Sequence, residues 1–248
     1  MAARAGIAFL HPDIRTFAEG TFHEEAARFI AELVANSVAN TGGCRIALAG
    51  GGTPAPVYRR LAKEPYRRQL AGDGVHWFWG DERAVPPDDP ASNYASAHKL
   101  LLAPLGVPVA NIHRMHGELD PPAAAAAYEE AIGASPLDLV LLGMGGDGHV
   151  ASLFPGTEAM SNYSDRVVVG LAPVEPTQRI SLGFRAINAA KEVVLLVTGA
   201  AKSQRLAEVR AEQRSGSWAL PAACVRPSSG RLTWLLDEAA ASAVKEIS

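Results

Sequence analysis

Asp147 and His149 stand two positions apart in the run Gly143-Met144-Gly145-Gly146-Asp147-Gly148-His149. That spacing lets a carboxylate and an imidazole reach one cavity from a single loop. Histidine titrates near neutrality, so it can take a proton from water without extreme tuning. A carboxylate beside it can orient the ring and stabilise the imidazolium that forms. The pair points to general-base chemistry, although a loop histidine with a structural hydrogen bond accounts for the same residues. A second stretch, Gly50-Gly51-Gly52-Thr53-Pro54, offers backbone N–H groups at a helix start, where the helix dipole favours an anion, and Thr53 adds a hydroxyl. It has no Walker lysine, which argues against the phosphate handling of an NTPase. The other reading is a tight strand–helix turn capped by Thr53. Asp81, Glu82 and Arg83 follow Gly80 as a third group, either a site or a salt-bridge cluster. Arg179, ahead of Ile-Ser-Leu, and Lys202, after Thr198-Gly199, read as surface charges when taken alone. A lysine near a helix start is disfavoured by the dipole, however, and a bound anion would remove the conflict. His11, His23, His76, His98, His113 and His116 have less telling surroundings and are assigned no chemistry.

These residues need elements that deliver them to one place. Leu139-Val140-Leu141-Leu142 is an unbroken apolar run of the kind buried on both faces of a parallel sheet. It leads straight into the loop of Asp147 and His149. Arg45 to Ala49 and Val75 to Trp79 precede the other two polar stretches in the same way. In a parallel sheet such strand ends share one rim, the edge at which open α/β sheets bind ligands. Ala27, Ile30, Leu33, Val34 and Val38 recur at helical intervals over residues 22–40, behind Thr21 and Glu24 at capping-box spacing. Further helices are expected from Pro54 through Leu61, from an N-cap at Ser92 to Leu102, from Pro121 to Ile132, from Gly199 to about Glu212, and from about Leu235 to the end. Ile7 to Leu10, Val167 to Leu171, Ile180 to Phe184 and Val193 to Val197 read as further strands.

Strands alternating with helices predict a doubly wound, mainly parallel, Rossmann-like α/β sheet with helices on both faces. With no repeat, low-complexity tract or long linker, residues 1–248 are expected to form one domain. Gly143 to Gly148 also spells GxGxxG, but Pro155-Gly156 interrupts the helix that a dinucleotide fingerprint requires. A net charge of −3 gives no electrostatic case for nucleic acid or an anionic membrane, so an anionic substrate needs a local group of Lys and Arg. Cys44 and Cys224 have no CxxC or zinc-type spacing and are expected to be free thiols in a reducing compartment. The first residues lack the apolar run of a signal peptide, and no segment is long and apolar enough to span a bilayer. Cytoplasmic is the expected location.

AGGGTP (49–54), WFWGDERAVPPDDPASNY (77–94), DLVLLGMGGDGHVASLFPG (138–156), RISLGFRAINAAKEVVLLVTGAAK (179–202) and RLTWLLDEAA (231–240) together resemble the 6-phosphogluconolactonase family, within the wider sugar-phosphate isomerase and lactonase superfamily. The motifs cover most of the chain in the family's order. The resemblance implies hydrolysis of 6-phospho-D-glucono-1,5-lactone to 6-phosphogluconate, a step of the pentose phosphate pathway, with neither a metal nor an organic cofactor. Its partner is a small sugar phosphate lactone, and a monomer is expected rather than an oligomer. It makes His149 the base that activates water and Asp147 its support. Gly51, Gly52, Thr53, Arg179 and Lys202 would hold the phosphate, Arg83 would sit by the lactone or its hydroxyls, and Asp81 would shape the pocket. The family's phosphate loop usually reads SGGSTP, whereas Ala49 and Gly52 replace the two serines here. The rival within the superfamily is glucosamine-6-phosphate deaminase, whose histidine is followed by Ile-Ala-Phe-Asn-Glu, with the glutamate in its catalytic relay. Here Phe154 falls where that glutamate would. A non-catalytic sugar-phosphate sensor is the reading outside enzymology, and the presence of both Asp147 and His149 speaks against it.

Overall fold

The apolar runs become strands because each buries residues on both of its sides. The computed structural model describes residues 12–244. Among them lie strands β1 (Asp13–Phe17), β2 (Cys44–Leu48), β3 (Val75–Trp79), β4 (Asp81–Arg83), β5 (Leu139–Gly143), β6 (Val167–Leu171), β7 (Gln178–Leu182), β8 (Glu192–Val197) and β9 (Arg231–Asp237). A six-stranded sheet has the order β1-β9-β8-β5-β2-β3, and every pairing in it is parallel. A smaller antiparallel sheet has the order β4-β7-β6. Successive strand residues point to opposite faces. Ile46, Leu48, Trp77, Trp79, Leu139 and Leu141 therefore pack on one side with helices α1 (Phe22–Thr41), α2 (Pro54–Leu61) and α3 (Asn93–Ala97). Ala47, Phe78, Val140, Leu142, Val193 and Leu195 pack on the other with α4 (Pro121–Ile132) and α5 (Ser203–Ser215). The arrangement is the doubly wound, mainly parallel one that the sequence predicts. The chain leaves β2 toward β3 in one direction and β5 toward β8 and β9 in the other. The crevice between β2 and β5 is thus the switch point of the sheet, where such folds bind ligands.

Several local expectations need correction. The strand expected at Ile7 to Leu10 lies outside the described residues, and β1, with the polar sequence DIRTF, pairs with β9. No capping box forms at α1: Thr21 makes no side-chain cap, and its hydroxyl donates to Ala18 O at 3.1 Å. Glu24 turns instead to Arg60 and to the Tyr66 hydroxyl, which donates to it at 2.6 Å. Ser92 does cap α3, accepting from the Ala95 N–H at 3.1 Å, but a π turn, His98–Leu102, and a last turn, Ala103–Leu105, continue the helix. A 3-10 turn, Ala200–Lys202, precedes α5. The largest error is at the C-terminus, where the expected long helix is replaced by β9 and a short helix α6 (Glu238–Ala241). Leu232, Trp234 and Leu236 pack to one side of the sheet and Leu235 to the other, so the governing period is two rather than 3.6. No helix among the described residues is long and apolar enough to cross a membrane.

Candidate active site

The loop after β2 is held from below by Tyr58 of α2. The buried Tyr58 hydroxyl donates to Ala49 O at 2.7 Å and accepts from the Ala49 N–H at 2.9 Å, which fixes where the glycines begin. Gly51 then takes a φ of 96°, a left-handed conformation that side chains resist. Thr53 does not cap α2: its backbone is already helical, and its Oγ1 lies 2.9 Å from Thr198 Oγ1. This hydroxyl pair ties the loop after β2 to the loop after β8. The latter is positioned by buried Asp237, which accepts from the Gly199 N–H at 2.9 Å and from the Ala240 N–H at 2.7 Å.

The loop after β5 brings Asp147 and His149 together. Asp147 Oδ1 lies 2.6 Å from His149 Nδ1 and accepts the His149 backbone N–H at 3.1 Å. Burial pushes the Asp147 carboxyl up, but the hydrogen bonds and charge of His149 outweigh it and hold the pKa below its ordinary value. An ionised Asp147 accepts from Nδ1–H and leaves Nε2 with the basic lone pair. Gly145 is required by this geometry, since a Cβ there would stand 2.1 Å from His149 Nδ1 and 2.6 Å from Asp147 Oδ1. The ring of Phe154 packs against the imidazole, with centroids 4.4 Å apart and the planes tilted by 42°. The segment after the glycines turns back on itself, with Val150 bridging to Leu153, and forms no sustained helix. The GxGxxG spelling therefore lacks its structural context.

Asp81, Glu82 and Arg83 are neither a loop nor a salt-bridge cluster. They form β4, opposite Ser181, Ile180 and Arg179 of β7. Buried Glu82 accepts from the N–H groups of Arg83, Asn93 and Tyr94 at 2.8, 2.7 and 2.8 Å. Burial raises its pKa against the pull of these bonds. Its role is to fasten β4 to the start of α3. Asp81 accepts from Asn93 Nδ2 at 3.1 Å and from Ser152 Oγ at 2.7 Å, so both carboxylate oxygens are engaged. Arg83 donates to Ala91 O.

Arg179 is different. It is 5% exposed, and its Nη1 is buried without a hydrogen-bond partner. Burial and the neighbouring Arg83 depress its pKa, opposed by Asp81 and Glu82. Like charges facing each other across a strand pair are destabilising, and an unpaired buried donor is costly. An anion between these guanidiniums would relieve both problems. Lys202 also makes no ion pair among the described residues, and its Nζ lies 3.8 Å from where a Cβ on Gly146 would stand.

These groups meet in one cleft of about 500 Å³ at the switch point of the sheet. Gly51, Gly52, Thr53, Asp81, Arg83, His149, Arg179 and Lys202 all line it, and Asp147 reaches it through His149. Asn93, Ser152, Thr198 and His23 line it as well, although sequence reasoning gave them no role. Asn93 lies near the end of the 77–94 stretch and Ser152 sits within the Asp147 motif, but nothing in one sequence marks either as a partner of Asp81.

The fold and site define an open α/β protein whose cationic cleft carries a carboxylate–imidazole pair at its switch point. A family model described as glucosamine-6-phosphate isomerases/6-phosphogluconolactonase matches residues 18–234, and the chain belongs to that family. It is 39% identical over 201 residues to a 6-phosphogluconolactonase of Haemophilus influenzae, covering 79% of this chain and 85% of that one. It is 42% identical over 205 residues to a 6-phosphogluconolactonase of Nostoc sp., with coverages of 79% and 82%. The structure of 6-phosphogluconolactonase from Trypanosoma brucei superposes with a TM-score of 0.81 at 30% identity, over 94% of this chain and 98% of that one.

Proposed function

We propose that the protein is a 6-phosphogluconolactonase, hydrolysing 6-phospho-D-glucono-1,5-lactone to 6-phosphogluconate within the oxidative branch of the pentose phosphate pathway. The observation that carries the reading is the convergence of the Asp147–His149 pair with an unpaired, buried Arg179 in one cleft. Phosphate binds to Arg179, Lys202, Thr53 and the N–H groups of the loop at the start of α2, where the helix dipole favours it. That anchor is remote from the scissile bond, so its binding energy can orient the lactone carbonyl. His149 Nε2 takes a proton from water as the water oxygen attacks C1, and Asp147 stabilises the imidazolium. The tetrahedral intermediate collapses with cleavage of the bond from C1 to the ring oxygen. The imidazolium returns its proton to that leaving oxygen, and the new carboxyl group ionises. Arg83 faces the lactone or its hydroxyls, while Asp81, with no free carboxylate oxygen, shapes the wall.

Phe154 against His149 favours this reading over deamination, because no carboxylate occupies the place a proton relay would use. The whole chain acts as one domain, and its two buried free thiols, Cys44 and Cys224, fit a cytoplasmic location. Acid release from freshly made lactone, corrected for spontaneous opening, tests the proposal. Turnover above background is expected. A rate equal to background would leave a sugar-phosphate sensor, and ammonia release from glucosamine 6-phosphate would identify a deaminase.

A further inference from the structure

One residue on the cleft wall has no part in the mechanism above. His23 lies in the first turn of α1 and lines the cleft together with Gly51, Gly52 and Thr53. Its backbone is held in α1, and its side chain is exposed. Glu24 beside it is bound to Arg60 and Tyr66, and the His23 ring rests edge-on against Phe22 at 5.6 Å and 84°. Phe22 is itself buried in the core. The imidazole makes no hydrogen bond and no ion pair among the described residues, so its nitrogens are available to a ligand.

The loop opposite is short of side-chain donors. Ala49 and Gly52 have none, which leaves Thr53, its Oγ1 2.9 Å from that of Thr198, as the loop's one side-chain donor. A Cβ on Gly52 would meet nothing within 4 Å, so there is open space above the loop. A phosphate presents several oxygens, and donors beyond the backbone must come from other elements around that space. We infer that His23 is a further phosphate-binding residue of this cleft, its imidazole N–H donating to a phosphate oxygen over the 50–54 loop. The inference rests on the sugar-phosphate reading of the site.

Two substitutions separate the donor from the ring. His23→Phe keeps an aromatic ring to pack on Phe22 but has no N–H, whereas His23→Gln keeps a donor. Calorimetry with 6-phosphogluconate and with gluconate measures the phosphate contribution directly, and lactonase kinetics separate KM from kcat. His23→Phe is expected to raise both the Kd for 6-phosphogluconate and KM on the order of tenfold, the factor a hydrogen bond to a charged group supplies. Its melting temperature should match wild type. His23→Gln should recover most of the affinity, and gluconate binding should not respond to either change. Equal Kd and KM in His23→Phe and wild type would overturn the His23 assignment while leaving the sugar-phosphate reading intact. Equal losses in the two variants would also overturn it, because only one of them lacks a donor. Wild-type protein that does not prefer 6-phosphogluconate to gluconate would instead defeat the sugar-phosphate reading, and the His23 assignment with it.

Discussion

Replacing Arg179 with methionine should make the empty protein more stable and the enzyme worse. Arg179 is 5% exposed, with Nη1 unpaired and Arg83 directly across the strand pair. A buried donor without a partner costs about 1–3 kcal/mol, and facing like charges add to it. Methionine fills much of the same length without a charge or a donor. Asp81 and Glu82 offset part of the guanidinium's cost, so the lower half of the range applies. A gain of about 1.5 kcal/mol corresponds to a rise of roughly 3–6 °C in melting temperature for a chain of this size. The same change removes charge-assisted bonds to the ligand, each worth about 1.5–3 kcal/mol, so KM should rise roughly 10- to 100-fold or more. Melting curves in phosphate-free buffer, and then across a phosphate titration, read both effects. Wild type should gain stability with phosphate by mass action, and Arg179→Met should gain much less. A variant that melts below wild type without phosphate would refute the reasoning, since the guanidinium would then be satisfied in the empty cleft. A variant with unchanged KM would refute the other half, since Arg179 would not face the substrate.

Other consequences can be checked on the same material. His149→Ala should lower kcat by roughly 10²–10⁴ while 6-phosphogluconate binding, measured calorimetrically, stays near wild type. Gly145→Ala places a Cβ 2.1 Å from His149 Nδ1, so kcat should fall with little change in the far-UV circular dichroism spectrum; retention of full activity would contradict the geometry. Asp147 has a pKa held below 3.8. Its native interaction therefore contributes stability above the unfolded-state pKa and loses it as pH falls through the lower native value. Asp147→Asn should accordingly reduce kcat throughout a profile from about pH 4.5 to 8, by roughly the 10⁴ seen when a triad carboxylate is neutralised at most, rather than only in acid. Gly52 faces open space at an ordinary φ, so Gly52→Ser should fold normally and lower KM by adding a hydroxyl donor to the phosphate loop; a higher KM would place the phosphate elsewhere.

The sequence exposes the interactions that are short along the chain and hides those that are long. Asp147 and His149 are two residues apart, and their pairing is legible because glycines interrupt an apolar run at a strand end. The rim that gathers residues 50–54, 81–83 and 143–149 is legible for the same reason: parallel strands place their ends together. The partners of Asp81 are not legible, because Ser152 is 71 positions away and is brought near by the smaller sheet. Glu24 is misread when only its own helix is considered, since Arg60, 36 positions on, wins its carboxylate. Leu235 and Leu236 are misread as the start of a helix because a short apolar run fits either period until it is known that the neighbouring strand covers it. The solitary state of Arg179 depends wholly on burial, so no pattern in one sequence reveals it. Yet the unsatisfied guanidinium says most about the ligand, since in a folded core a buried donor without a partner is stable only at a cost, and on the function proposed above an anion in the cleft removes that cost. Chemistry at the rim is written locally, while the electrostatic demand for a particular substrate is written in contacts that exist only after folding.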